Sequence, residues 1–542
     1  MRLVTLLLCA GPLLAACAVD AGGPDAGTEA TTATTSSTAT ATATATTGTT
    51  GASTSGPPTG TAGLTDMSMG TGDSSVGSSG GPMPDEVSVG HLRELRGVWV
   101  ASVGNINFPT AQGLSVAQQQ AELTEILDAT AAAGLNAVFL QVRPESDAVY
   151  ASAIEPWSRY LTGTQGEDPG HDPLAFAVEQ AHARGLELHA WFNPYRAKAS
   201  AKSSAAANHI SKLLPEYAYV YGTALWMDPG AAPVQDQLVA VITDVVTRYD
   251  LDGVHFDDYF YPYPNGDAFP DDATFAAYKD GGGALDRADW RRDNVNRMVQ
   301  RVGETVAQLR PAVRFGISPF GIYRPGMPEG IQGLDQYAEI YSDPVKWMQE
   351  GWLDYLAPQL YWPTTQQAQA YGPLIEWWAG IATGGRHVFA GNYLSKLGSD
   401  DAWTLDEFLT QIELGRGLAE QGSRGNIYFH VGPILANQDN VADVFAAEVY
   451  SRAVLTPAIA ALADEVVAPP LVELVDGVVT LSHPEPASLR AWVVYSAEGN
   501  GWELDRIVRA SEPGVMLDAG IWAISAAARS GVESVGIRVT VP

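Results

Sequence analysis

Between residues 95 and 435 the sequence repeats one pattern eight times: a short run of β-branched and aromatic residues, then a longer helix-like stretch. Strands that alternate with helices predict parallel pairing, because each helix carries the chain back to the same edge of the sheet. Eight repeats favour an α/β fold closed into a (β/α)8 TIM barrel over an open doubly wound sheet. The eight runs are residues 96–102, 136–144, 187–196, 253–261, 313–323, 354–362, 387–396 and 426–435.

The stretches between the runs carry their own helix signals. Residues 116–133, 173–184 and 234–249 are examples. Gly134 and Gly185 follow the first two and suit the left-handed position that ends a helix. No glycine-rich phosphate loop follows the first run, which argues against a dinucleotide-binding domain.

The N-terminus has the layout of an export leader. Arg2 precedes an apolar run at residues 3–16, which is too short to span a bilayer. Residues 14–17, LAAC, resemble a bacterial lipobox, whose cysteine is lipidated and becomes the mature N-terminus. We therefore predict a lipoprotein signal peptide at residues 1–16 and lipidation of Cys17. The alternative is an ordinary signal peptide that is cleaved nearby.

Cysteine content and charge narrow the possible partners. Both cysteines, Cys9 and Cys17, lie in the leader region, so the mature chain has no internal disulfide and no cysteine metal cluster. The net charge of −31 gives no cationic surface for nucleic acid or anionic lipid. We expect a cell-envelope location with membrane attachment through Cys17 alone. Ala18 after the cysteine favours the outer membrane or cell surface if the host has two membranes.

Composition divides the chain into four parts. After the leader, residues 17–90 are rich in Thr, Ala, Ser and Gly and predict a disordered linker. Residues 91–464 hold the barrel. Residues 465–542 contain runs too short for helices and predict a small β-sandwich that resembles fibronectin type III modules. The predicted sandwich strands are residues 471–475, 478–482, 490–496, 501–507, 520–529 and 535–541.

The fourth run ends in adjacent carboxylates, Asp257 and Asp258, among aromatic residues. Side chains alternate along a strand, so Val254 and Phe256 share one face, while His255 and Asp257 share the other. In a parallel barrel the second face opens at the C-terminal rim, where such barrels keep their active sites. Carboxylates beside rings suit sugar chemistry, because an anion stabilises an oxocarbenium ion. Alternation alone does not choose between the two aspartates, and the plain alternative is an Asp-rich loop.

Candidate partners follow the other runs. Glu145 and Asp147 are the predicted sources of the second catalytic carboxylate, with Asp343 behind them. The predicted substrate-binding residues are amide, aromatic or charged groups at strand ends: Arg143, Asn193, Arg196, Asp228, Tyr259, Gln359, Tyr361, Trp362 and Tyr393. Arg143 and Asn193 would bind hydroxyls or tune the carboxylates. Arg143 and Arg196 could instead brace rim carboxylates, and Asp228 could belong to a turn.

Two other chemistries lack their sequence signals. His189, His255 and His430 have no HxH or HExxH spacing, so we predict neither a metal nor another cofactor. No Gly-x-Ser-x-Gly elbow supports a serine hydrolase.

Six blocks together resemble the bacterial glycosyl-hydrolase-like family 10, also called domain of unknown function 187. They are RGVWVAS, LNAVFLQVRPESDAVYAS, HAWFNPYR, LDGVHFDDYFYP, FGISPFGIYR and DYLAPQLYW, within residues 94–440. The resemblance implies a TIM-barrel glycosidase, typically exported or a lipoprotein, and an association with cell-envelope glycans including peptidoglycan strands.

The fourth run is also similar to the DGxDxDxE signature of chitinase-type barrels. Here His255 replaces the second acidic residue and Tyr259 replaces the catalytic glutamate. This departure argues against the chitinase mechanism, in which the substrate's N-acetyl group assists.

We therefore predict an exported, lipid-anchored glycoside hydrolase that cleaves O-glycosidic bonds by carboxylate acid–base catalysis. Peptidoglycan glycan strands are the leading substrate. The alternative is a non-catalytic glycan-binding surface lipoprotein with an inactive barrel, for which the cue is Tyr259 in place of a glutamate.

Overall fold

The computed structural model describes residues 86–475 and 477–542. The predicted signal peptide, Cys17 and most of the predicted linker lie outside the described residues. The strands, in chain order, are β1 (Glu86–Val87), β2 (Leu95–Val100), β3 (Ala137–Arg143), β4 (Glu187–Phe192), β5 (Arg196–Lys198), β6 (Ala218–Tyr221), β7 (Ala224–Met227), β8 (Gly253–Phe256), β9 (Arg314–Ile317), β10 (Tyr355–Leu356), β11 (His387–Asn392), β12 (Ser423–Tyr428), β13 (Leu471–Val475), β14 (Val478–Ser482), β15 (Leu489–Glu498), β16 (Gly501–Arg509), β17 (Gly514–Met516), β18 (Gly520–Ala528) and β19 (Gly536–Val541).

The helices lie mostly between the first twelve strands. In chain order they are α1 (Val116–Ala132), α2 (Arg159–Thr162), α3 (Pro173–His182), α4 (Ile210–Leu213), α5 (Ala232–Arg248), α6 (Asp272–Asp280), α7 (Arg287–Leu309), α8 (Gln336–Glu339), α9 (Pro344–Glu350), α10 (Tyr371–Gly380), α11 (Leu405–Gly417), α12 (Gly432–Leu435) and α13 (Val441–Val444). Within the described residues, none of these helices combines the length and the apolar character needed to cross a membrane.

Local sequence sets the ends of these helices. Ser115 caps α1 in a reciprocal capping box with Gln118, which satisfies backbone N–H groups that the first turn leaves unpaired. The side chain of Asp172 caps α3 by accepting from the backbone N–H of Ala175, and Pro173 occupies the first position of the helix. Gly134 follows α1 with φ 76°, which confirms the predicted helix stop because glycine adopts that conformation without strain.

Eight parallel strands close into the predicted barrel. Their order is β2, β3, β4, β8, β9, β10, β11 and β12, and β12 pairs with β2 to complete the ring. Alternate residues face the helices and the barrel interior. Val254 and Phe256 belong to the outer core, while His255 contacts Trp99 and Tyr355 inside the barrel, as alternation predicts.

One irregularity changes the face of a predicted site residue. Gln141 pairs with Trp191 in β4, but Arg143 pairs with Phe192, so Val142 is an extra residue in β3. Such a bulge interrupts the alternation of side chains. Gln141 and Arg143 therefore do not share a face, although strict alternation predicts that they do.

A three-stranded antiparallel sheet stands between β4 and α5, in the order β5, β7, β6. The sequence analysis does not predict it. Its first strand begins at Arg196, and Arg196 pairs with Trp226 of β7. The sheet thus fixes the backbone of a residue that reaches the C-terminal rim of the barrel.

The C-terminal module contains a five-stranded sheet, β1-β19-β18-β15-β16, and a three-stranded sheet, β13-β14-β17. Val479 and Val515 of the smaller sheet share a core with Trp492 and Ile524 of the larger one. The module therefore has two packed layers, while its likeness to fibronectin type III remains a prediction.

The N-terminal strand corrects the predicted end of the linker. Glu86 and Val87 pair with β19, although residues 17–90 predict disorder. Val87 and Val89 pack against a second apolar cluster on the other face of the five-stranded sheet, which includes Val493 and Tyr495. These two valines supply the apolar area that the preceding sequence lacks, which explains how β1 packs on the module although it falls in the predicted linker.

The module docks on the barrel face opposite the C-terminal rim. Arg490 of β15 forms an ion pair with Asp252, which directly precedes β8, and lies 3.8 Å from Glu187 at the start of β4. Arg529 makes two hydrogen bonds to Asp250, at 2.7 and 2.9 Å. The barrel and the module belong to one compact unit.

Candidate active site

A cavity of about 820 Å³, including open space at its mouth, lies at the C-terminal ends of the barrel strands. TIM barrels place their binding sites at this end. The residues that line the cavity are Trp99, Val103, Gln141, Trp191, Arg196, Asp257, Asp258, Tyr259, Tyr263, Ser318, Phe320, Gln359, Tyr361, Trp362, Tyr393 and Phe429.

Asp257 follows β8 and is held by donors from the neighbouring strand. Its Oδ2 accepts hydrogen bonds from Trp191 Nε1 and Asn193 Nδ2, both at 3.1 Å. Its Oδ1 accepts a longer bond of 3.4 Å from the backbone N–H of Tyr259. Since two donors occupy Oδ2, Oδ1 is the oxygen that is better placed to carry a proton.

Burial raises the pKa of Asp257 to about 7, because the charged carboxylate loses its hydration. The positive charge of Arg196 opposes this rise, and the negative charge of Asp258 adds to it. Near neutral pH Asp257 therefore exists in both protonated and ionised forms, which is the condition for a general acid.

Asp258 is held from the other side of the cavity. The hydroxyl of Tyr263 donates to its Oδ2, and Gln359 also bonds its side chain. Burial raises the pKa of Asp258 as well, while these two hydrogen bonds lower it. The two aspartates are thus buried in one cavity but fixed by separate sets of donors.

Aromatic rings form much of the remaining wall. Tyr361 and Tyr393 stack with ring centroids 4.5 Å apart, and Phe429 lies 5.9 Å from Tyr361. Trp362 meets Phe320 edge to face at 5.6 Å. Such rings provide flat apolar surfaces for the C–H faces of sugars.

Arg196 and Tyr259 complete the cavity beside Asp257. The guanidinium of Arg196 lies over the ring of Tyr259, 5.0 Å from its centroid. The backbone N–H of Arg196 donates to Asn193 Oδ1 at 2.9 Å. Asn193 therefore links the Arg196 backbone to the Asp257 carboxylate through the two ends of its side-chain amide.

A hydrogen-bonded column runs from the cavity floor down the barrel interior. The indole of Trp99 donates to His255 Nε2 at 3.1 Å, so His255 is neutral and carries its proton on Nδ1. Nδ1 then donates to the hydroxyl of Tyr355 at 3.0 Å, and that hydroxyl donates to His189 Nδ1 at 3.3 Å. His189 Nε2 donates to Glu187 at 3.0 Å.

This column explains why His255 stands where chitinase-type barrels have an acid. Burial, with the nearby His189, holds the pKa of His255 well below its usual range. Gly253 and Gly316 make room for the column, because a Cβ at either position would lie 2.1 Å from the His189 or Tyr355 ring. A carboxylate at position 255 could not accept from Trp99 and donate to Tyr355 while ionised.

The structure turns Arg143 away from the cavity. Its guanidinium pairs with both oxygens of Glu155, at 2.6 and 2.8 Å, and donates to the carbonyls of Asn193 and Pro194. The bulge at Val142 causes this, because it moves Arg143 to the outer face. Arg143 braces the turn after β4 and does not line the cavity.

Glu145 and Asp147 form a second buried pair that also lies outside the cavity lining. Glu145 pairs with Arg159 at 2.8 Å, which helps to hold its pKa low despite burial. Burial and the charge of Glu145 raise the pKa of Asp147 to about 7, and Gln165 donates to it at 2.9 Å. Neither carboxylate of the loop after β3 thus lines the cavity that holds Asp257.

Asp228 and Asp343 have structural partners. Thr274 donates to Asp228 at 2.6 Å and the Gly230 N–H donates at 2.8 Å, which is the turn predicted as the alternative. Asp343 caps α9 and accepts from Tyr323 at 3.1 Å. Neither aspartate lines the cavity.

The cavity includes residues that are absent from the predicted set: Trp99, Val103, Gln141, Trp191, Tyr263, Ser318, Phe320 and Phe429. Alternation identifies several of them. Trp99 lies between outward-facing Val98 and Val100, and Trp191 has the same parity as Asn193. The predicted residues that do line the cavity are Arg196, Asp257, Asp258, Tyr259, Gln359, Tyr361, Trp362 and Tyr393.

A parallel eight-stranded barrel with buried carboxylates and stacked rings at its C-terminal end defines a glycosidase-type TIM barrel. Comparison with known sequences agrees. The glycosyl hydrolase-like 10 profile matches residues 94–401, and the chain belongs to that family.

Two relatives carry glycosyl hydrolase names. Glycosyl hydrolase YngK of Bacillus subtilis is 41% identical over 378 residues, covering 67% of this chain and 73% of the relative. Glycosyl hydrolase DigH of Escherichia coli K12 is 35% identical over 378 residues, covering 64% and 86%.

Solved structures resemble the chain at low sequence identity. The glycoside hydrolase domain of PgaB (BpsB) from Bordetella bronchiseptica has a TM-score of 0.43 and 13% identity, and the match covers 66% of this chain and 98% of that one. The catalytic domain of a β-amylase from Paenibacillus polymyxa has a TM-score of 0.44 and 14% identity, with 67% and 99% covered.

Proposed function

We propose that the protein is an exported, lipid-anchored glycoside hydrolase that cleaves O-glycosidic bonds in a cell-envelope polysaccharide. The observation that carries the proposal is the pair Asp257 and Asp258, buried side by side in an aromatic cavity at the C-terminal rim. Peptidoglycan glycan strands are the leading substrate, because the sequence resemblance implies an association with cell-envelope glycans and the N-terminus predicts export.

In the proposed reaction Asp257 is the general acid. Its protonated carboxyl donates to the glycosidic oxygen as the bond between that oxygen and the anomeric carbon breaks. Asp258, ionised and oriented by Tyr263, stabilises the positive charge that develops on the sugar. Water then adds to the anomeric carbon, and the proton it releases returns to the carboxylate of Asp257.

Each other wall of the cavity has a role in this proposal. The stacked Tyr361 and Tyr393 bind the apolar face of a sugar ring. The positive charge of Arg196 opposes the rise in the pKa of Asp257. It therefore stabilises the carboxylate that remains after Asp257 has given its proton to the glycosidic oxygen. Trp191 and Asn193 keep the carboxyl in one orientation.

The test of activity is the release of new reducing ends from peptidoglycan glycan strands and from a panel of other polysaccharides. New reducing ends with at least one glycan are expected. Binding to a glycan without cleavage would instead favour the non-catalytic glycan-binding protein, for which Tyr259 in place of a glutamate is the cue.

The anchor has its own test. Cys17→Ser is expected to release the protein from the membrane fraction, or to leave an unprocessed precursor, because the serine cannot accept the lipid. The measurement is membrane fractionation with metabolic lipid labelling. A lipid-labelled membrane fraction that Cys17→Ser leaves unchanged would contradict the anchor.

A further inference from the structure

Gln141 of β3 is fixed in one orientation by backbone donors. Its Oε1 accepts from the N–H of Ser102 at 3.0 Å and from the N–H of Val103 at 2.9 Å. Only the oxygen of an amide accepts two N–H groups, so these bonds place the Nε2 amino group on the other side of the side chain. The side chain is fully buried, at 0% exposure.

The Nε2 group of Gln141 has no hydrogen-bond partner among the described residues. A buried amide donor is normally satisfied, and an exception calls for a structural or functional reason. Gln141 lines the same cavity as Asp257 and Asp258. The strand register also places Gln141 near Asp257: Gln141 of β3 pairs with Trp191 of β4, and the indole of Trp191 donates to Asp257.

We propose that Gln141 is a substrate-binding residue whose Nε2 donates a hydrogen bond to an oxygen of the sugar held against Asp257 and Asp258. This inference rests on the proposed glycosidase function and adds a named donor to it. The cavity carboxylates accept hydrogen bonds from sugar hydroxyls, whereas Gln141 supplies a neutral donor. It therefore recognises an acceptor oxygen, either a hydroxyl or an amide carbonyl on the ring.

Two substitutions separate this role from the bracing of residues 102 and 103. Gln141→Glu keeps an oxygen for both backbone N–H groups and removes the donor, but adds a carboxylate. Gln141→Met removes the donor without adding charge, but also removes the brace. A loss that both variants share is therefore due to the missing donor.

Ser102→Ala is the matched control. It deletes the hydroxyl that donates to the Gln141 backbone carbonyl at 2.9 Å, and it leaves Nε2 untouched. The assay is kcat/KM for the release of reducing ends from peptidoglycan glycan strands by the purified protein, with thermal melting of each variant measured in parallel.

We expect both Gln141 variants to lose about tenfold or more in kcat/KM, because the substrate oxygen is left unpaired in a buried site. Ser102→Ala should retain parent activity. Retained kcat/KM in either Gln141 variant would overturn the inference. An equal loss of kcat/KM in Ser102→Ala would also overturn it. If Gln141→Glu does not fold, the comparison of Gln141→Met with Ser102→Ala remains. A parent that releases no reducing ends from any glycan would instead remove the proposed function, and this inference with it.

Discussion

Asp257 shows at the residue scale how the barrel makes an acid available near neutral pH. Burial raises its pKa from 3.8 to about 7, even though three donors bond its oxygens and Arg196 lies nearby. The folded protein therefore binds a proton that the unfolded chain releases between these two pH values. The contribution of Asp257 to the free energy of unfolding therefore falls as pH rises from about 4 to about 7.

Asp257→Asn is expected to stabilise the protein at pH 8, because the amide removes a buried charge that the fold disfavours. At pH 4 the parent carboxyl is protonated in the fold, so the variant and the parent should melt at similar temperatures. Thermal melting at both pH values measures this. The raised pKa would be contradicted if the variant melts at a lower temperature than the parent at pH 8. It would also be contradicted if the two melting temperatures differ by the same amount at both pH values.

Residue-level alternation predicts the inward side of β8 because that strand is regular. His255 faces the interior and Asp257 reaches the cavity, as the two-residue period requires. The same reasoning fails for Arg143, because a bulge at Val142 is not visible in the residue types. The position of Glu145 was not predictable for another reason: its partner Arg159 begins the four-residue helix α2, which lies in a long connection between β3 and α3 whose path no local pattern specifies.

At the scale of elements, the docking of β15 on the barrel holds the C-terminal module in place. Arg490 meets Asp252 and Glu187, and its charge and that of Arg314 hold the pKa of Glu187 well below its usual range despite burial. These contacts lie at the N-terminal ends of the barrel strands. Residues at that face of a TIM barrel serve stability rather than catalysis.

Arg490→Met is expected to lower the free energy of unfolding by about 3–5 kcal/mol, because it leaves the buried carboxylates of Asp252 and Glu187 without this cation. Denaturant unfolding measures the change, and turnover should remain near the parent. The matched control is Arg452→Met, since Arg452 pairs with Glu503 while 74% exposed and should change stability by less than about 1 kcal/mol. Equal effects of the two variants would show that Arg490 does not hold the interface.

The order of elements was predictable from the sequence, and several short elements were not. All eight barrel strands fall inside the predicted runs, except for the first residues of β2 and β12. The prediction succeeds because strands buried on both faces are written as nearly continuous apolar runs. The sheet of β5, β6 and β7 was missed because its strands have three or four residues each and lie within a long rim loop. Strand β17, with three residues, was missed for the same reason.

For the whole molecule, the N-terminal strand β1 ties the start of the described chain to the C-terminal module. Val87 and Val89 contact the C-terminal module, and β1 pairs with the last strand, β19. The chain between Cys17 and this strand supplies few large apolar side chains. It therefore has little to contribute to the free energy of folding.

Two truncations test this boundary. Deleting residues 18–85 is expected to leave the melting temperature unchanged, because β1 and both valines remain. Deleting residues 18–90 removes β1 and should lower the melting temperature by about 1–2 °C, because the lost apolar burial is worth about 1–2 kcal/mol and the unfolding entropy of a protein of this size is large. Differential scanning calorimetry distinguishes them. A large drop with the shorter deletion would mean that the preceding chain also packs on the protein.

The central claim is that the cavity carboxylates perform acid–base catalysis on a glycan. The direct measurement is kcat for reducing-end release from the best glycan substrate by the parent, Asp257→Asn and Asp258→Asn. Asp354→Asn is the matched control, because burial also raises the pKa of Asp354, which lies at the opposite end of the barrel beside β10.

We predict that at least one of the two cavity substitutions lowers kcat by about 100-fold or more, as loss of a general acid or base does, while Asp354→Asn stays near the parent. Folded Asp257→Asn and Asp258→Asn variants that both retain full kcat would contradict the claim.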